Sequence, residues 1–339
     1  MTDRSILAAR FLSDTGWGAA TRAPLAGDAS ARRYERLALD AQTAVLMDAP
    51  PGRGESTERF ACMARWLSGH GYSAPEILGE DHAEGFLLLE DLGDALFARL
   101  LAADPSREAE LYAVATDFLG DLHRRPVPDF IAPLDGAGLA ELVELTPRWY
   151  LPGIGEAGNP AANAVPDLIR VTFHRLGDGR VVTSLRDFHA ENLIWLPERA
   201  GHARLGLLDF QDAVATHPAY DLVSLLQDAR RDVSVATETA MIARYVAAKS
   251  LDPAGFGAIY ALLGAQRALR ITGIFARLTL RDGKAHYLDY LPRVWRYLDR
   301  NLAHPALGEL ARAVHEGLPA PTAERIQRIK DQCGRHPTL

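Results

Sequence analysis

The order of apolar and polar positions changes character about a third of the way along the chain. Before that point short segments prevail. Arg33-Tyr34-Glu35-Arg36-Leu37-Ala38-Leu39 alternates like a half-buried strand, and Thr43-Ala44-Val45-Leu46-Met47 is a second strand candidate, stopped by Pro50-Pro51. Ser56 or Thr57 is placed to cap a helix whose apolar positions Phe60, Met63, Ala64 and Leu67 follow the helical period, and Gly69 and Gly71 close it. Gly27-Asp28-Ala29-Ser30 is a turn cluster, and Gly85-Phe86-Leu87-Leu88-Leu89 reads as a short buried strand broken by Glu90-Asp91-Leu92-Gly93.

Beyond residue 93 the pattern is mainly helical. Asp104 as cap and Pro105 in the first turn predict a helix with Leu111, Val114, Ala115, Phe118, Leu119 and Leu122 on one face. Residues 134–165, rich in Gly, Ala and Pro around Trp149 and Tyr150, read as a loop-rich insertion. Short apolar strands are expected at 181–183, 193–196 and 205–208, and helices from Tyr220 almost to the end. The composition shift predicts two lobes, 1–92 and 93–339.

Composition narrows the function classes. The 339 residues are 48% hydrophobic and 24% charged, which supplies material for a buried core and excludes a disordered or rod-like chain. A net charge of −7 removes the basic face that usually marks a nucleic-acid partner. The two cysteines, Cys62 and Cys333, stand far apart, against both a disulfide framework and a cysteine zinc site. The N-terminus leads into no sustained apolar run, and no uncharged stretch approaches the ~20 residues that span a bilayer. The expectation is a cytoplasmic protein with no membrane, nucleic-acid or evident protein partner.

One motif is a decoy. Gly153-Ile154-Gly155-Glu156-Ala157-Gly158 matches a dinucleotide fingerprint, but Leu151-Pro152 before it and Asn159-Pro160 after it offer neither the strand nor the helix it needs. The informative stretch is Leu185-Arg186-Asp187-Phe188-His189-Ala190-Glu191-Asn192, followed by Leu207-Leu208-Asp209-Phe210-Gln211-Asp212. Asn192 stands five residues after Asp187, and Asp209 stands 17 after Asn192, at the end of an apolar run. Carboxylate, amide and carboxylate at strand ends are hard oxygen ligands, suited to Mg²⁺ rather than Zn²⁺. Phosphoryl transfer needs one carboxylate to orient the attacking hydroxyl, and an Asn and an Asp to hold magnesium against a nucleotide. Two other readings stay open on these residues alone. Asp187 and Asn192 are also good turn formers, and His189 with Asp187 and Asp209 is also a candidate hydrolytic metal site.

Asp187 and Asn192 with Asp209-Phe210 resemble the catalytic and magnesium loops of the aminoglycoside phosphotransferase and choline kinase superfamily, a branch of the protein-kinase-like fold. Residues 86–93 resemble its fifth strand and adenine-reading hinge, and Pro218-Ala219-Tyr220-Asp221-Leu222 the segment whose Asp braces the catalytic loop. Residues 27–34, 45–51 and 209–226 further resemble the bacterial kinases of cell-wall recycling, which phosphorylate the anomeric hydroxyl of N-acetylmuramate and N-acetylglucosamine. The resemblance covers about residues 25–300.

It implies a two-lobed α+β fold, a small β-rich lobe and a larger helical one, with ATP and Mg²⁺ between them and an amino sugar as acceptor. It implies Asp187 as catalytic base, Asn192 and Asp209 as metal ligands, and Asp221 as structural support. Ser30, Arg32, Arg33, Glu90 and Leu92 become nucleotide-site candidates; His189, Glu191, Gln211, Asp212 and Arg148 become sugar-site candidates. Two departures stand out. Leu185 occupies the position where the superfamily usually has His, and Val45-Leu46-Met47-Asp48 lacks the usual phosphate-binding Lys. Arg32 or Arg33 is the candidate replacement cation, unless both are solvated strand charges. An aminoglycoside or other hydroxyl acceptor, or a non-catalytic nucleotide-binding module, are the alternatives.

Overall fold

A helix that ordinary periodicity barely announces starts the chain: α1 (Arg4–Asp14), followed by strands β1 (Thr21–Leu25), β2 (Arg33–Leu39) and β3 (Gln42–Asp48). Helix α2 (Thr57–Gly69) precedes strands β4 (Ile77–Asp81) and β5 (Phe86–Glu90), then helices α3 (Phe97–Ala103) and α4 (Glu108–Leu122). Strand β6 (Ala132–Pro133), helices α5 (Gly136–Val143), α6 (Leu151–Gly153) and α7 (Pro160–Leu176), and strand β7 (Val182–Ser184) come next. Strands β8 (Leu193–Trp195), β9 (Leu205–Leu207) and β10 (Val214–Thr216) lead into α8 (Ala219–Leu226), α9 (Val235–Ala248) and α10 (Pro253–Leu280). Helices α11 (Leu291–Leu302), α12 (Gly308–Gly317) and α13 (Ala323–Lys330) complete the chain. This computed structural model describes residues 4–25, 32–52 and 56–336. The turn cluster 27–30, with Ser30, lies outside them.

The described residues form two units: those up to Arg107 together with Ala190–Ala213, and Glu108–His189 together with those from Val214 onward. The first unit is built on an antiparallel sheet of order β1-β2-β3-β5-β4. Strand β5 is an unbroken apolar run because it lies inside the sheet and Phe86, Leu87, Leu88 and Leu89 are all buried. Helix α1 sets Ala8, Phe11 and Leu12 on Leu37, Leu46, Phe86 and Leu88, with Phe11 stacked on Phe86 at 5.6 Å. This unit continues past the composition shift at residue 93 for a structural reason. Leu96 bridges Ile194 and Trp195 N–H donates to the Ala95 carbonyl at 2.8 Å, so the β8–β9 hairpin belongs with the segment 94–107.

The second unit centres on α10, apolar nearly all round and enclosed by its neighbours, as a core helix should be. Two local expectations are corrected here. The helix expected at Asp104 starts at Glu108, because Asp104 Oδ1 accepts from Ser106 N (3.1 Å) and Ser106 Oγ (2.6 Å) and holds Pro105–Arg107 in a tighter turn. The stretch 134–165, expected to be loop-rich, is largely helical. Asp135 caps α5 by accepting from Ala137 N and Gly138 N, Asn159 caps α7, and Pro160 sits in its first turn, where its missing N–H costs nothing. Gly153 closes α6, so the decoy motif is a helix end followed by a turn.

Candidate functional site

Strand β7 carries the catalytic-loop candidate in the second unit. It pairs antiparallel with β10 and ends at Ser184, and Leu185 follows, buried at 3% exposure. Arg186 then adopts a left-handed backbone (φ 66°), which costs a non-glycine residue about 1–3 kcal/mol unless its surroundings enforce it. They do. Asp221, in the first turn of α8, accepts from Ser184 Oγ (2.7 Å), Leu185 N (2.7 Å) and Arg186 N (3.0 Å). The Arg186 carbonyl accepts from Ser224 Oγ (2.9 Å) and Arg267 Nη1 (3.1 Å). Asp221 is wholly buried; burial pushes its carboxyl up to about 6 while its three donors pull the other way. In Asp221→Asn an amide N–H₂ must face at least one of those donors. We expect a loss of about 2–3 kcal/mol in urea unfolding, with a lower kcat; unchanged stability and activity would refute the brace.

Asp187 follows the strained residue, its N–H donating to the Leu185 carbonyl at 2.8 Å. Burial pushes its carboxyl up, but the guanidinium groups of Arg270 and Arg267, joined by that of Arg186, outweigh that and hold it below the ordinary carboxylate range. Asp187 is therefore ionised at neutral pH. Arg267 and Arg270 escape sequence inspection because they lie about eighty residues further on, inside α10; the signal was their three-residue separation on one helix face. His189 is 7% exposed, with Arg230 Nη1 3.2 Å from its Nε2. Burial, then Arg230, depress its basicity against the pull of Asp228 and Asp187, leaving it neutral.

In the first unit the β8–β9 hairpin does the positioning. Leu193 pairs with Leu207, and Leu208 N–H donates to the Asn192 carbonyl at 2.9 Å. Asn192 therefore enters one strand beside the exit of the other, and Asp209 comes next. Asp209 has a left-handed backbone (φ 55°), and its Oδ1 accepts from Arg32 Nη2 (2.6 Å) and Gln211 Nε2 (3.0 Å). Phe210 is fully buried and packs its ring 4.9 Å from Phe60 of α2, which fixes this turn against the helix. The structure thus brings Arg32, Asp209 and Gln211 together. Asp212 lies 3.9 Å from Arg59, an exposed contact of little energetic weight.

The other candidates have less to show. Arg33 is exposed on β2, so the neighbouring arginines face different ways. Glu90 is tied within its own unit, to Arg199 and, at 3.2 Å, to Glu76 N. Leu92 is buried, and its backbone N–H and C=O have no hydrogen-bond partner among the described residues. No Lys occurs in β3. Glu191 is exposed beside Asn192; Arg148 is exposed on a π-helical turn over Thr146–Tyr150.

Among the described residues no three His, Cys, Asp or Glu side chains converge on a cation. That does not disfavour magnesium, which takes one or two protein oxygens and completes its shell with phosphates and water. The donor set fits: both contacts to Asp209 fall on Oδ1, and Oδ2 has no hydrogen-bond partner among the described residues. No helix among them is long and apolar enough to cross a membrane.

Residues 21–262 match the model of the phosphotransferase enzyme family. The chain is 42% identical, over 91% of its length and 95% of the relative's, to the N-acetylmuramate/N-acetylglucosamine kinase of Caulobacter vibrioides. It is 34% identical to the protein of the same description from Pseudomonas aeruginosa, covering 90% of this chain and 93% of that one. Among solved structures it resembles a choline/ethanolamine kinase family protein from Mesorhizobium loti, with a TM-score of 0.61 at 16% identity over 93% of this chain and all of that one. An aminoglycoside phosphotransferase from Streptomyces rimosus matches with a TM-score of 0.53 at 16% identity, covering 81% and 99% of the two chains. These likenesses establish the kinase-like α+β fold.

Proposed function

The chain belongs to the phosphotransferase enzyme family, and from that membership we propose that it transfers the γ-phosphoryl group of ATP to the anomeric hydroxyl of N-acetylmuramate and N-acetylglucosamine. The observation that carries the reading is the close likeness, along nearly the whole chain, to kinases described by those two sugars. The residues supply the chemistry. Asp187, ionised on a clamped loop, orients the sugar hydroxyl and accepts its proton. Asn192 and Asp209 hold magnesium through oxygen, Gln211 aims the Asp209 carboxylate, and Arg32 offsets its charge. Bound there, the ion supplies neutralisation of the charge spread over the phosphate oxygens. There is little covalent work for the protein; positioning and electrostatics provide the rate.

ADP release measured with N-acetylmuramate, N-acetylglucosamine, kanamycin and choline tests the assignment. Turnover is expected with the two sugars, and phosphorus NMR should place the new phosphate on C1. Turnover with kanamycin alone would overturn the reading.

The arginine pair gives a second test. Arg32 is buried against Asp209 whereas Arg33 is solvated. Arg32→Ala should raise KM for ATP about ten- to a hundred-fold, the weight of a charge-assisted contact, and Arg33→Ala should leave it nearly unchanged. Equal effects, or two silent variants, would count against this division of roles.

A further inference from the structure

The three arginines of α10 beyond its midpoint, and Arg281 that caps it, are not scattered. A helix turns about 100° per residue, so Arg267, Arg270, Arg277 and Arg281 fall within a stripe about 80° wide. The stripe begins at the catalytic loop, where Arg267 Nη1 donates to the Arg186 carbonyl and Arg270 Nη1 lies 3.2 Å from Tyr220 Oη. It ends at Arg281, paired with Asp282 through two contacts of 2.7 and 2.9 Å. Beside it, on α10, sits the π-helical turn Thr146–Tyr150: a Cβ on Gly273 would lie 2.4 Å from the Leu145 carbonyl carbon, and Thr146 Oγ1 donates to the Leu269 carbonyl. Such turns recur at functional sites.

Arg277 is the member without an explanation. It is half-buried, its Nε is fully shielded, and the guanidinium has no hydrogen-bond or ion-pair partner among the described residues. Burial and the neighbouring charges of Arg281 and Arg270 depress its basicity, and Asp282 alone pulls the other way. A half-buried guanidinium beside two other arginines, with its Nε shielded and unpartnered, is completed by an anion. The two sugars in the relatives' description differ in charge: muramate is glucosamine with an ether-linked lactate, and so carries a carboxylate that N-acetylglucosamine lacks. Arg277 stands seven residues, about 10 Å along the axis, beyond Arg270. That is within the span of one pyranose ring and a long guanidinium side chain.

We infer that Arg277, the last arginine within α10, binds the lactyl carboxylate of N-acetylmuramate and so distinguishes the acidic sugar from the neutral one. The inference rests on the proposed pair of acceptors. Arg277→Gln should raise KM for N-acetylmuramate at least about ten-fold, the loss expected of a charge-assisted hydrogen bond. KM for N-acetylglucosamine and for ATP should stay within experimental error. Arg277→Lys, which keeps the charge but not the two-pronged geometry, should fall between. The wild-type protein offers a test that needs no variant: the methyl ester of N-acetylmuramate should be as poor a substrate, relative to the free acid, as the acid is for Arg277→Gln. A rise in KM shared by both sugars, a rise for ATP, or an ester as good as the acid would each overturn the assignment. Calorimetric binding of N-acetylmuramate separates this site from the reaction itself. Weaker binding to Arg277→Gln supports the carboxylate contact even if no ADP forms, and equal binding refutes it.

Discussion

Asp187→Asn should lower kcat by about 10²–10⁴, the contribution of a positioned acid–base group, while calorimetric ATP binding stays close to wild type. The substitution preserves size and removes the carboxylate charge that faces Arg267 and Arg270. The electrostatics add a pH signature. Because the arginines Arg270 and Arg267 hold the carboxyl below the ordinary range, the acceptor stays ionised in mild acid. As pH falls, kcat should hold level through the range where an ordinary Asp would begin to protonate, and decline only below it. A variant retaining more than about half of wild-type kcat would show that Asp187 is not the base.

Asp209→Ala should cost about 10²–10³ in kcat/KM for Mg-ATP, the equivalent of several kcal/mol of charge stabilisation. The magnesium titration should shift to higher concentration. A second effect follows from the pairing in the first unit. Arg32, with its side chain only 7% exposed, would lose a partner 2.6 Å away. Since Asp209 is itself 38% exposed, the cost to stability is discounted to about 1–2 kcal/mol. Asp209→Asn separates the two: it keeps an oxygen for Arg32 but not the charge for the metal. An unchanged magnesium titration in both variants would remove Asp209 from the metal site.

Between them these variants probe residues of unequal legibility. Strands β2, β3 and β5 and the Ser56-capped helix α2 could be read from alternation, helical spacing and a polar cap, because those signals arise among residues a few positions apart. The same holds for Asp187, Asn192 and Asp209, since short apolar strands set Asp187 after the end of β7, Asn192 at the entry of β8 and Asp209 past the end of β9. Helices in 134–165 were obscured because Gly and Pro punctuate that stretch, yet its caps and packing against α10 outweigh the weak propensity of a few residues.

Sequence by itself, then, determined the periodic elements and the order in which the polar candidates emerge from them. Tertiary structure decided the partners: Arg32 for Asp209 across 177 positions, Asp221 for the Arg186 backbone across 35, and the α10 arginines for Asp187. The physical reason is one of range. Periodicity records which side of an element is apolar, through neighbours within a turn or two of the chain. The strength of a charge depends on what faces it after burial and on how far water has been removed, and those are settled only when distant elements pack.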